Sequence, residues 1–433
     1  MKVAVFGCLH GQLNDMFNAV QSHENQNNTK IDLIIVCGDC QTIRHQDDLQ
    51  CLAVPNKYKR LGDFHEYYSG KKKVPQLTIF VGGNHEASNY LMGLPYGGWV
   101  CDNFYYLGFA SVINYRGLRI GGISGIYNSR NCNRGRYERL PLDDESMRSI
   151  YHTRRLDVFR LSLLSNRINQ NKANRLDVFM SHDWPARIYE HGDLPQLLRF
   201  KPHFREDVNS RNGLGSPLTQ PLISKLKPCR WFAAHLHCKF QARVQHNEST
   251  ATDFLSLNKI EQGRNFVEYL DLTPCSQSDN SCQDELYYDE EWLTIIRKTI
   301  NLEYKSSNNV PCPSFDDDSA YVPTEEEINE TREMMEETGG LKIKRNFCMS
   351  EPVIYNREGN APPSIDKYRT KYFPNPQHIE LCSRLGIIDQ LANDAPQTST
   401  MTNATPSKKN SSNTLELDDE GCLPYFIDKR PIQ

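Results

Sequence analysis

The run Leu77-Thr78-Ile79-Phe80-Val81-Gly82-Gly83-Asn84-His85-Glu86 decides how the rest of the chain reads. An apolar stretch of this length without alternation reads as a strand buried on both faces, and its abrupt polar stop places chemistry at the carboxyl end. The same punctuation recurs four times. Lys2 to Phe6 runs into Gly7-Cys8-Leu9-His10-Gly11, and Leu33 to Cys37 runs into Gly38-Asp39-Cys40-Gln41. Val178 to Met180 stops at Ser181-His182-Asp183, and Trp231 to Ala234 stops at His235-Leu236-His237. A helical pattern from Leu13 to His23 follows the first run, so the chain opens as β-α-β. Phe104 to Leu107, Leu118 to Ile123, Phe254 to Leu257 and Phe266 to Leu270 read as further strands with little helix between them. The expected fold class is α/β, a layered β-sandwich flanked by helices.

The chain's 433 residues allow two or three domains, and an apolar share of 38% implies that part of the length is not core. The formal net charge of -4 averages two unlike halves. Residues 1–270 hold 34 basic and 25 acidic side chains, whereas the remainder holds 16 and 29. The basic front favours an anionic partner. Within the acidic back, residues 285–305 have helical spacing through Leu286, Trp292, Ile295, Ile296 and Ile300. Thr324 to Glu337 opens with Thr-x-x-Glu, a capping-box pattern for an acidic surface helix. Residues 391–433 offer little to bury and are expected to be a disordered tail. Met1 to Gly11 is too short and polar for a signal peptide, and no apolar run approaches the ~20 residues of a membrane span. The fourteen Cys are therefore expected to be mostly reduced thiols of the cytosol or nucleus.

Cys, His, Asp and Asn at five strand ends are metal-ligand chemistry, with glycines that let the backbone turn beside an ion. Any one of these histidines alone would more commonly be a packed or surface residue; five motifs in order, each at a strand end, make the pattern. The seven candidate ligands are Cys8, His10, Asp39, Asn84, His182, His235 and His237. They suffice for two ions if one bridges, and Asp39 is the natural bridge. Two cations a few ångströms apart clamp a phosphate and bring a shared water to a pKa of around 7. Cys8 read blandly is a small buried filler, but its place two residues before His10 favours a thiolate ligand, which prefers Zn²⁺ or Fe²⁺ over Mg²⁺. Cys37-Gly38-Asp39-Cys40 is formally Cys-x-x-Cys, yet the commitment of Asp39 to metal argues against a redox pair.

The motif series resembles the calcineurin-like metallophosphoesterase superfamily over roughly residues 1–270, with Cys8 in place of its first Asp and Ala234 in place of its last Gly. Longer runs are similar to the RNA lariat debranching enzymes within it, which carry Cys at the first position. These are Gly83 to Tyr90, Leu94-Pro95-Tyr96-Gly97-Gly98-Trp99, Tyr105 to Gly108, Gly122 to Tyr127 and Ser181 to Pro185. Asn375-Pro376-Gln377 to Leu385-Gly386 extends the likeness to about residue 390, giving a catalytic domain at 1–270 and an accessory domain at 271–390. The resemblance implies one metal pocket of Cys8, His10, Asp39 and His237 and a second of Asp39, Asn84, His182 and His235. The divalent ions it implies are Fe²⁺, Zn²⁺ or Mn²⁺. It further implies hydrolysis of the 2′–5′ phosphodiester at an intron branch point by a metal-activated hydroxide, with His85 as general acid. The excised intron lariat is thereby linearised for turnover, in the nucleus or after shuttling to the cytoplasm.

Residues 116–160 hold ten Arg, no Lys and five acids. Composition alone leaves a solvated loop and an RNA-binding loop equally open. The resemblance places a lariat-recognition loop here, with Tyr127, Arg130, Arg134, Arg136, Tyr137, Arg139, Arg154 and Arg155 as candidate RNA contacts, since guanidinium and aromatic faces stack on unpaired bases. The acidic back half could pack on the catalytic domain, repel other RNA, or meet splicing or intron-turnover proteins. No membrane or DNA partner is expected. The rival readings are a phosphomonoesterase or protein phosphatase of the same fold, and a non-catalytic RNA-binding scaffold.

Overall fold

A computed structural model describes residues 1–274, 284–315, 320–349 and 375–388. The first seven strands are β1 (Lys2–Phe6), β2 (Leu33–Val36), β3 (Thr78–Phe80), β4 (Gly98–Cys101), β5 (Phe104–Tyr106), β6 (Ala110–Tyr115) and β7 (Leu118–Ile123). Six more follow: β8 (Val178–Ser181), β9 (Arg230–Ala233), β10 (Phe240–Asn247), β11 (Thr250–Ser256), β12 (Val267–Asp271) and β13 (Leu286–Tyr288). They form a six-stranded sheet ordered β12-β1-β2-β3-β5-β4 and a seven-stranded sheet ordered β10-β11-β9-β8-β7-β6-β13.

Each sheet has a parallel centre. β1, β2, β3 and β5 run together in the first, and β7, β8, β9 and β11 in the second. Side-chain alternation explains why these runs are apolar throughout. Val3, Val5, Leu33 and Ile35 point between the sheets, where they pack with Ile120, Val178, Met180 and Phe232. Their neighbours Ala4, Phe6, Ile34 and Val36 face outward onto Leu13, Met16 and Val20 of the helix Leu13–Asn27. On the other flank, Phe179 and Trp231 pack on Val158, Phe159 and Leu161 of the helix Arg155–Leu163. The layers are therefore helix, sheet, sheet, helix, as the sequence predicts.

The C-terminal residues complete this sandwich. β13 adds an antiparallel edge to β6, pairing Leu286 with Tyr115. Leu286 thus belongs to a strand, and the expected helix begins only at Glu290, capped by Asp289, whose side chain accepts the Trp292 N–H at 3.0 Å. The acidic helix Glu325–Glu337 has the expected capping box between Thr324 and Glu327. The helix Pro376–Leu385 docks on β4 through Gln377, which accepts from Trp99 N–H at 2.8 Å and donates to Trp99 C=O at 2.9 Å. The tail at 391–433 lies outside the described residues.

Folding brings the two unlike charge halves into direct contact. Buried Arg119 pairs with Asp289 and Glu291, each at 2.8 Å, and Arg160 pairs with Glu303 at 2.7 Å. Arg116 reaches Asp284 at 3.1 Å and Arg167 reaches Glu325 at 3.0 Å. Part of the basic excess of the front is therefore answered by the acidic back, inside the molecule.

Candidate metal centre

The five motifs meet because they follow parallel strands, β1, β2 and β3 of one sheet and β8 and β9 of the other, whose carboxyl ends open onto the same rim. Among the described residues, donor atoms of Cys8, His10, Asp39 and His237 all lie within 4.8 Å of one another. The Nε2 atoms of His10 and His237 are 3.2 Å apart, and Asp39 Oδ2 is 3.8 Å from the former. This is the first set of four that the resemblance implies.

The second set gathers on the other oxygen of Asp39. His182 Nδ1 lies 2.7 Å from the Cys37 carbonyl, which can only accept, so that nitrogen carries the hydrogen. The opposite nitrogen, Nε2, lies 3.1 Å from Asn84 Oδ1 and 3.4 Å from Asp39 Oδ1. These three atoms can each present a lone pair toward one point, an arrangement that suits a divalent cation. The His235 ring stands 5.0 Å from that of His182. Thus the donors present suit the cations implied by the fold. A buried Cys8 beside three nitrogen and oxygen ligands suits a softer ion than Mg²⁺ in the first position.

Backbone strain marks the same residues. His10, Asp39, His235 and His237 have φ of 47°, 52°, 63° and 47°, left-handed values that cost a non-glycine residue energy and collect at functional sites. Gly83 is needed for the closeness of the loops, because a Cβ there would collide with Asp39 Oδ1. Charge follows geometry. Burial alone would raise the Asp39 pKa, but His182, His85 and His10 hold it below the ordinary carboxylate value. Burial pushes His10 down to about 3 against the pull of Asp39, so its imidazole is neutral and its lone pair is available.

His85 sits on the rim but in neither set. Its N–H donates to Asp39 Oδ1 at 2.8 Å, its Nε2 meets Asn84 Nδ2 at 3.0 Å, and its Nδ1 is buried with no partner among the described residues. Burial lowers its pKa, with Asp39 opposing. Cys37 and Cys40 are buried thiols with raised pKa values, which makes them poor nucleophiles.

Sequence reasoning missed Glu86. Its carboxylate accepts from the N–H groups of Cys40 at 2.9 Å, Gln41 at 2.8 Å and Gly83 at 3.1 Å, tying the Asp39 loop to the Asn84 loop. Burial, with the charge of Asp39, pushes its pKa up to about 8 against these three donors. An acid next to His85 was visible in the sequence; its burial was not.

Of the Arg-rich stretch 116–160 only residues 124–145 contain no helix or strand. Arg119 lies in β7, Arg148 in the short helix Ser146–Ser149, and Arg155 and Arg160 in the helix Arg155–Leu163, so the expected loop is shorter than the Arg-rich stretch. Arg130 and Arg139 are exposed, and Tyr127 and Tyr137 are half-buried. Arg134 pairs with Glu145 at 3.0 Å, and Arg136 pairs with Asp157 at 2.6 Å while lying over the Phe109 ring. Arg155 lies over Phe315 at 4.7 Å. Arg154 is 2% exposed, with its guanidinium on Glu138 and the His152 carbonyl. The eight candidates therefore share one segment, but they do not share one environment.

Comparison with known proteins agrees with this geometry. Residues 1–239 match the calcineurin-like phosphoesterase family, and residues 249–390 match the C-terminal domain of lariat debranching enzymes. Lariat debranching enzyme A of Xenopus laevis is 42% identical over 395 residues, covering 90% of this chain and 71% of that protein. The Homo sapiens lariat debranching enzyme is 42% identical over 398 residues, with 90% and 70% covered. The Arabidopsis thaliana enzyme is 46% identical over 299 residues, with 69% and 68% covered. With both domains matched in order and the similarity spanning nearly the whole chain, this protein belongs to the lariat debranching enzyme family.

Proposed function

We propose that this chain hydrolyses the 2′–5′ phosphodiester at the branch point of lariat RNA, leaving a 2′-hydroxyl and a 5′-phosphate. The observation that carries the reading is the facing of His182 Nε2, Asn84 Oδ1 and Asp39 Oδ1 next to the four-donor cluster of Cys8, His10, Asp39 and His237. Cys8, His10, Asp39 and His237 would hold one divalent ion, and Asp39, Asn84, His182 and His235 the other, with Fe²⁺, Zn²⁺ or Mn²⁺ as the candidates. Such ions supply positive charge beside the phosphate and acidify water.

The chain's own residues do the rest. Asp39 and His182 are buried, which strengthens each electrostatic contact they make. A solvent-derived nucleophile attacks phosphorus in line, the bond to the 2′ oxygen breaks, and His85 gives that oxygen its proton. Burial favours the neutral imidazole, so His85 releases a proton readily; Asp39 and an incoming phosphodiester anion favour the charged form that holds it. Glu86 fixes the two loops on which Asp39 and His85 stand. Exposed Arg130 and Arg139, with Tyr127 and Tyr137 nearby in the chain, supply phosphate and base contacts.

A competition assay tests the reading. Metal-loaded protein receives a branched oligoribonucleotide and a phosphoserine peptide at equal concentration. Faster release at the 2′–5′ bond is expected, and faster turnover of the peptide would move the chain to the phosphatases.

A further inference from the structure

The Arg-rich loop does not hold its own shape. Its backbone is paired with residues 303–310, some 170 positions further along the chain. Arg136 N–H donates to the Tyr304 carbonyl at 3.0 Å, and Val310 N–H donates to the Asn133 carbonyl at 2.9 Å. Arg134 and Asn309 form an antiparallel bridge between those two bonds. Gly135 lies so close beneath this segment that a Cβ would collide with the Tyr304 carbonyl oxygen.

The bracing segment is itself anchored to the sandwich. Glu303 Oε1 accepts from Tyr96 Oη at 2.7 Å and from Arg160 Nη1 at 2.7 Å. The Arg160 Nε donates to Thr299 Oγ1 at 2.7 Å, at the end of the helix Glu290–Thr299. Five residues beyond it, Phe315 carries the Arg155 guanidinium over its ring, and the Phe315 carbonyl accepts from Lys225 Nζ at 2.8 Å. None of these contacts involves a candidate metal ligand.

We propose that residues 303–310 are a brace that positions the Arg-rich loop for RNA, so that the C-terminal region sets affinity for the branched substrate and not the chemistry at the metal rim. A loop ordered in advance spares the complex the cost of ordering it on binding. Glu303, Tyr304, Asn309 and Val310 are positioning residues: they act through Asn133 to Arg136, not on substrate. The inference rests on the reading of that loop as an RNA contact.

Two variants break the brace without touching the rim. Val310→Pro removes the N–H that Asn133 receives, and Glu303→Ala removes the acceptor shared by Tyr96 and Arg160. Each is assayed in the full chain on branched RNA and on bis(para-nitrophenyl) phosphate, a diester with no nucleotides flanking the phosphate for the loop to hold. Arg130→Ala with Arg139→Ala is assayed in parallel. The expected result is a KM for branched RNA raised about tenfold by each brace variant, the scale of removing one or two hydrogen bonds, with kcat on the small diester unchanged. Glu303→Gln, which keeps a carbonyl acceptor, should return most of the affinity. If the arginine pair raises KM and the brace variants do not, the brace is overturned and the loop reading stands. If the arginine pair leaves KM unchanged, the loop reading itself fails. A brace variant that lowers both activities equally also overturns the proposal, since the segment would then support the core.

Discussion

The candidate metal rim and the Arg-rich loop are both rich in candidate functional side chains, but they are assembled in opposite ways. Each rim residue is delivered by the strand before it, and parallel topology makes the five deliveries converge. The loop has no strand or helix from 124 to 145, and its shape comes from Glu138, Asp157, Tyr304 and Val310. In the rim, therefore, residue type and position predict environment. Around the loop they do not: Arg130 is exposed, whereas Arg154, of the same type but at the start of the helix Arg155–Leu163, is sealed against Glu138.

Substitutions can sharpen this contrast, and the largest effect belongs to the rim. Asp39→Ala removes the carboxylate shared by both ligand sets; turnover should fall below detection, and metal analysis should show both ions absent. His85→Ala should slow cleavage by roughly 10²–10⁴-fold while metal content and RNA affinity stay put, which a filter-binding assay beside metal analysis would check. Loss of metal in that variant would make His85 a ligand.

Arg154→Ala tests the loop's sealed side. It strands Glu138 in the interior and should cost about 3–5 kcal/mol of stability, read as a lower denaturant midpoint. If stability is unchanged while RNA affinity drops, Arg154 serves the substrate after all. Cys8→Asp should keep the fold but shift metal preference toward harder ions; an unchanged preference would show that the thiolate does not ligate. The smallest effect is expected at the exposed side. Arg130→Ala with Arg139→Ala should flatten the salt dependence of single-stranded RNA binding, by about 0.7 in log–log slope for each phosphate no longer neutralised, and leave stability alone.

The same contrast explains what could be read in advance. The strand runs, the β-α-β opening and the seven rim residues are legible because apolar runs and their polar stops are local features. The left-handed backbone at His10, Asp39, His235 and His237 is not, since no local pattern demands it. Strand β13 reads as helix in the sequence because Leu286 also fits a helical spacing with Trp292 and Ile296, and pairing with Tyr115 decides the matter. Net charge misleads in an instructive way. Arg116, Arg119 and Arg160 look available to an anion, yet Asp284, Asp289, Glu291 and Glu303 take them up within the fold. Those partners lie more than 140 residues away, beyond the reach of any windowed reading.

The central claim is that the converged rim cleaves the 2′–5′ bond with metal held by its own residues. Its most direct test is a single experiment on anaerobically prepared protein reconstituted with Mn²⁺ or Fe²⁺. Bound metal is quantified in the same sample that is mixed with a branched RNA bearing one 2′–5′ linkage. A linear RNA product with a free 2′-hydroxyl, and a 5′-phosphate on the released strand, is expected. Intact branched RNA in the presence of fully bound metal would contradict it.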